Sequence, residues 1–334
     1  MAGELTLSTP LDNAPKRSLE GSAQAPRTLH ATRLRHARPR SGQSYGLQSV
    51  KPVVTNADYL VSPHQLPDVR ESCEIHFTRF GRNLRPGGTV AFCSDARHTL
   101  FVNVNEPTTS AWTEKADHIV THHHRYTRII TSNPTVLDNC PNAVFLAYGT
   151  TWLNKSEHHR DSLGCFTENL GRIPKDASVS MLCGSLKGKA GYGLRHAIWS
   201  RRRDIPARLN FYSSTRFPIL GEKRLPSDDK IHLFTSMYSV AVESSSETNY
   251  FTEKLIDCLI TKTIPVYWGC PNISDFFDTS YWIHPDRLFS TEYTDTYYRD
   301  NLEKIEANFE KAKSYTRPLL TRVLETAGLL VAND

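Results

Sequence analysis

From about residue 88 onward, short runs rich in Val, Ile and Phe, each bounded by Gly, Pro, Asn or Asp, alternate with stretches of helical periodicity. The first series is "GTVAFCSD", "LFVNVNE", "DHIVTH", "RIITSN" and "AVFLAYG". The second is "SVSMLCGS", a helix near Tyr192 to Arg203, "RLNFYSS", "MYSVAVES", a helix from about Tyr250, "TIPVYWG", and one long amphipathic helix across "NLEKIEANFEKAKSYTRPLLTRVLETAG". Parallel strands need long crossovers, and helices supply them, so this alternation predicts mostly parallel sheets covered by helices. The expected class is α/β with two Rossmann-like halves. Their boundary is expected in the polar stretch "ENLGRIPKDAS", giving domains 56–176 and 177–334, the second carrying the C-terminal helix.

With 334 residues, 39% of them apolar and 10% aromatic, the chain has material for two cores. No run approaches the roughly 18 to 20 apolar residues of a membrane span, and the opening residues lack the apolar stretch of a secretory signal. As written, the chain is expected in the cytoplasm or peripheral to a membrane; a Golgi location would need an anchor outside it. The seven cysteines are scattered singly without C-x-x-C spacing, which favours neither a disulfide framework nor a zinc site.

The net charge of +5 is uneven: residues 1–51 hold eight Lys/Arg against three Asp/Glu, so the body is neutral. Residues 1–55, with "RLRHARPRSGQSYG" at their centre, therefore read as a disordered basic arm. It lacks the aromatic or structured elements of a nucleic-acid reader, and no nucleic-acid partner is expected.

Two facing α/β halves work on what lies in the cleft, at the carboxyl ends of their strands. The strand "YSVAVES" runs through "SSSETN" into a helix opening with Tyr250, Phe251, Thr252, Glu253 and Lys254. A helix start with an added cation suits an anion such as a diphosphate, while Glu253 can accept hydrogen bonds from sugar hydroxyls. The alternative from spacing alone is that Glu253 complements the helix dipole and Lys254 is solvated.

The run "SVAVESSSETNYFTEKLIDCLITKTIPVYWGCPNISDFFD", followed by "YWIHP", resembles the donor-binding signature of the α-1,3/1,4-fucosyltransferases, glycosyltransferase family 10. The resemblance implies a GT-B type fold and an inverting transfer of fucose from GDP-fucose to a hydroxyl of a glycan acceptor. The residues it implies for the donor are Arg195, Glu243, Ser244, Tyr250, Glu253 and Lys254, with Arg195 on the diphosphate. A looser match through "LFVNVNEP" implies Glu106 as the general base, with Glu114 and Asp95 as alternatives. Ser244 stands where the family has Asn, and Met237 where it often has Lys, which leaves another nucleotide sugar, or a catalytically degenerate binding protein, as the alternative.

The chain contains no D-x-D, so neither a metal nor another cofactor is expected beyond the donor substrate, and side-chain cations would neutralise the leaving diphosphate. His118 and His122 are spaced as an i, i+4 pair, but no acidic residue is placed as in H-E-x-x-H; "HHHR" and "NKSEHHRD" read as solvated or acceptor-facing loops. The expected partners are a nucleotide sugar and a glycan acceptor.

Overall fold

The computed structural model describes residues 52–55, 68–77, 97–104, 107, 109–153, 166–226 and 229–330. Its first sheet is wholly parallel, in the order β1 (Val53–Thr55), β2 (Cys73–Phe77), β3 (His98–Asn103), β4 (Arg128–Thr131) and β5 (Ala143–Phe145). Helix α1 (Thr109–His122) crosses from β3 to β4, and α2 (Pro134–Asn139) from β4 to β5. After α3 (Phe166–Leu170), a second parallel sheet contains β6 (Asp176–Cys183), β7 (Arg208–Ser213), β8 (Ser236–Val242) and β9 (Ile264–Trp268), in the order β7-β6-β8-β9. Helix α4 (Ala190–Ser200) joins β6 to β7, and α5 (Glu253–Leu259) joins β8 to β9. The chain ends with α6 (Asp295–Asp300), α7 (Leu302–Ala312) and α8 (Leu319–Thr326). The expected α/β class, with two parallel sheets, is the one observed, and both sheets belong to one compact unit, Leu47–Asp334.

Each sheet is covered on two faces, which is why its strands read as nearly continuous apolar runs. In the first sheet, Phe101 and Ile129 pack with Ala116 and Ile119 of α1. Ile75, Leu100, Val102 and Ile130 lie with Leu319, Leu320, Val323 and Leu324 of α8. In the second, Val179, Met181, Val240 and Val266 meet Ile198 and Trp199 of α4. Its other side is filled by Leu255, Ile256 and Leu259 of α5, together with Ala147 and Leu153 from the connection after β5.

The structure corrects the sequence expectations in several places. "DHIVTH" is the last part of α1 and not a strand. The single long helix is broken: α7 ends at Ala312, and α8 starts only at Leu319. Pro318 lacks the N–H that a helix would need there, and Arg317 before it is extended, with φ −70° and ψ 146°. Although α8 follows the second half in sequence, it lies on the first sheet. Val53–Thr55, assigned to the arm, pairs in parallel with β2. The strand expected at "GTVAFCSD" and residues 1–51 of the arm lie outside the described residues. Among the described residues, no helix is long and apolar enough to cross a membrane.

Candidate donor site at the ends of β6 and β8

In the second sheet the chain leaves β6 toward β7 on one side and later returns to β8 on the other. At such a switch point the two connections diverge and a crevice opens beyond the carboxyl ends of the strands. The segments emerging there are Gly184–Lys189, which leads into α4, and Glu243–Thr252, which leads into α5.

The α4 side is electropositive. Between Asp176 and Asp204 the sequence has six Lys/Arg and no carboxylate. Lys187, Gly188, Lys189, Gly193 and His196 line a cavity of about 280 Å³. Arg195 donates from Nε to the Gly191 carbonyl at 3.3 Å, and its guanidinium carbon lies 4.8 Å from the centre of the Tyr192 ring. Its Nη2 is buried and has no hydrogen-bond partner among the described residues. A guanidinium nitrogen removed from water without an acceptor is unfavourable, and an anion would satisfy it.

The helix is seated directly on the other half of the site. Gly191 N–H donates to the Ser244 carbonyl at 3.1 Å, and a Cβ at Gly191 would overlap the Glu243 carbonyl. Only glycine allows this approach.

On the α5 side most of the polar groups are buried. Glu243 is fully buried, and its carboxylate accepts from Thr252 N–H (2.8 Å) and Thr252 Oγ1 (2.7 Å). Burial raises its pKa, and Lys254 opposes that rise. Ser244 and Tyr250 are also fully buried, with their hydroxyls 3.2 Å apart. Glu243, Ser244 and Tyr250 therefore lie beneath the surface and fix the course of the connection. Their polar atoms are engaged with one another and with Thr252.

Thr252 caps α5, accepting from Lys254 N–H at 3.3 Å. Lys254, 22% exposed at its side chain, directs Nζ to Thr252 Oγ1 (3.2 Å) and Glu253 Oε1 (3.2 Å), with Glu243 Oε2 at 3.7 Å. It is thus not a simply solvated cation. Burial pushes the pKa of Glu253 up, but Lys254 and Lys230 outweigh this and hold it at about 2. Asp257, one turn further along α5, accepts from Thr151 Oγ1 (2.7 Å) and Trp152 N–H (3.1 Å). Burial raises its pKa to about 6 despite Lys230.

The structure brings Glu243, Glu253 and Lys254 into direct contact and joins Arg195 to them through Gly191 and Ser244. Sequence reasoning missed Lys187, Lys189, Thr252, Lys230 and Asp257. For Asp257 a signal existed: a lone carboxylate in the apolar run "LIDCLI" requires a buried partner.

Glu106 and Asp95 lie outside the described residues, and Glu114 is on α1 with its side chain outside them. "HHHR" is not a loop beyond a strand: His122 closes α1, and His123–Arg125 form a 3-10 turn. The His118 and His122 rings lie 4.3 Å apart, but among the described residues no group of three or more His, Cys, Asp or Glu could hold a metal ion.

These elements define a parallel α/β protein with an anion-suited crevice in its second sheet. No family model matches the chain. Nor does any curated protein match it. Solved structures similar to it include an α1,3-fucosyltransferase with GDP, at 16% identity, 76% coverage of each chain and a TM-score of 0.39. Another α1,3-fucosyltransferase structure has 15% identity, 76% coverage of each chain and a TM-score of 0.41. A glycosyltransferase from Rickettsia africae ESF-5 has 10% identity, covers 76% of this chain and 75% of its own, and has a TM-score of 0.40. The structural neighbours are glycosyltransferases; what this chain binds has to come from its own site.

Proposed function

We propose that this chain is an inverting glycosyltransferase that moves fucose from GDP-fucose to a hydroxyl of a glycan acceptor, in the manner of an α-1,3-fucosyltransferase. The observation that carries this is Arg195, whose buried guanidinium nitrogen, without a partner among the described residues, stands at the switch point, on an element with no carboxylate to satisfy it. A diphosphate supplies oxygens suited to that fork, and Lys187 and Lys189 add charge beside it. Glu253 is suited to sugar hydroxyls, and the buried trio Glu243, Ser244 and Tyr250 positions the connection around them.

In the proposed reaction Glu106 takes the proton of the acceptor hydroxyl. The oxygen attacks the anomeric carbon as the bond to the diphosphate oxygen breaks on the opposite face. Charge grows on the leaving diphosphate, so Arg195 and Lys254 stabilise the transition state more than the bound substrate. These cations do the work that a metal does elsewhere, so transfer should persist in excess EDTA. Loss on chelation, restored by manganese, would overturn that part of the mechanism.

The deciding experiment is calorimetry with GDP, followed by an assay of sugar release or transfer from GDP-fucose. GDP binding with turnover supports the proposal. GDP binding without turnover of any nucleotide sugar would favour the degenerate binding protein, a reading to which Ser244 in place of Asn belongs. Absence of GDP binding would overturn both.

A further inference from the structure

At the α5 end of the site five charges alternate in a row, Glu243, Lys254, Glu253, Lys230 and Asp257, with successive separations of 3.7, 3.2, 3.6 and 3.7 Å. Lys230 comes from a separate 3-10 turn, Lys230–Leu233, whose Ile231 N–H donates to Asp229 Oδ1 at 3.0 Å. Its amine is held from several sides, by Glu253, by Asp257 Oδ2 and by the Trp152 ring, whose centre lies 4.4 Å away. Asp257 is itself fixed by Thr151 and Trp152.

The same oxygen of Glu253, Oε1, meets both amines, Lys254 at 3.2 Å and Lys230 at 3.6 Å. Glu253 is 5% exposed, so an unpaired charge there would be strongly unfavourable. An anion arriving at Lys254 competes with Glu253 for that amine. With a single cation the exchange would strand a buried carboxylate; with two, one can turn away while the other stays.

We infer that Lys230 is a positioning residue of the donor site, which keeps Glu253 paired and in place so that Lys254 is released to the diphosphate of a nucleotide sugar. The inference rests on the proposal that Lys254 meets that diphosphate. Lys230 does not touch the anion; it acts through Glu253. Its effect therefore disappears when Glu253 no longer carries a charge.

Inorganic pyrophosphate tests this without a ribose to complicate the role of Glu253. By calorimetry, Lys230→Met should weaken pyrophosphate binding about tenfold, the scale of coupling between contacting charges, and Lys230→Arg should restore most of it. In the Glu253→Gln background, adding Lys230→Met should change nothing. That comparison leaves no charged Glu253 stranded, so it stands even if Lys230→Met alone does not fold. Equal weakening in both backgrounds would mean that Lys230 meets the anion directly, and the inference fails. Wild-type affinity in Lys230→Met would also sink it. Unchanged affinity in Lys254→Ala would instead remove the donor-site assignment on which it rests, so the two failures are distinguishable.

Discussion

Arg195 and Lys254 are both cations at the proposed donor site, but the structure gives them unequal situations. Lys254 already has carboxylate partners, whereas one nitrogen of Arg195 has no acceptor among the described residues. Arg195→Ala should weaken GDP binding by about 1.5–3 kcal/mol, the worth of a charge-assisted hydrogen bond, with little change in melting temperature. Calorimetry and a thermal melt on the same preparation check both halves. Glu106→Gln should leave GDP affinity near wild type while lowering transfer about a hundredfold or more, the contribution of a positioned general base. Normal transfer would hand the role to Glu114, Asp95 or another carboxylate. The sequence named the residues at this end of the molecule, but not which of them are covered. Tyr250 and Ser244 look like groups presented to a ligand when read along the chain; Tyr148, from the connection after β5, stacks on Tyr250 with ring centres 6.4 Å apart, a contact between segments a hundred residues apart that the sequence does not announce. Lys230 sits in "SDDKIH", a polar stretch with no mark of its partnership with α5.

Among the elements, α4 has the strictest requirement, because its first turn lies against the end of β8. Gly191→Ala should cost about 3 kcal/mol by overpacking, since the Cβ meets backbone that cannot turn aside. Gly193→Ala, with nothing within 4 Å of its Cβ, should be neutral or stabilise by up to about 1 kcal/mol through helix propensity. Urea denaturation of the pair checks the contrast; equal effects would mean that α4 does not sit as described. Most strands were legible because buried parallel strands are apolar throughout. "DHIVTH" was not, because a short apolar run fits a helix face as well as a strand, and the residues that extend α1 before it carry little periodicity. The break at Pro318 was readable from Pro alone, yet the strong amphipathic pattern on both sides of it suggested continuity.

At the scale of the whole molecule, Asp257 ties α5 to the segment Thr151–Trp152 that follows the first sheet, and this makes stability depend on pH. Its folded pKa of about 6 lies above the ordinary 3.8, so between those values the folded state holds more protons than the unfolded chain. Stability therefore falls as pH rises through that window, by up to about 3 kcal/mol. Glu253 acts in the opposite sense: its contribution is present above 4.5 and is lost as pH falls toward about 2. Denaturation of Asp257→Asn between pH 4 and 7 should show a flatter profile than wild type, and identical profiles would remove Asp257 as the source.

The return of α8 to the first sheet has a practical meaning for anyone wishing to take this molecule apart. Leu319, Leu320, Val323 and Leu324 cover strands that were laid down some two hundred residues earlier, and each is worth about 1.5–3 kcal/mol of burial. Arg322 adds to this by donating to the carbonyls of Gly149 and Ala147. Cutting once, at the polar stretch before β6, would leave one fragment with an uncovered sheet and the other with a sticky helix, and neither would stay monomeric. A clean excision of the half that holds the second sheet has to be made twice, once before β6 and again at Pro318, with α8 grafted back onto the half that it covers.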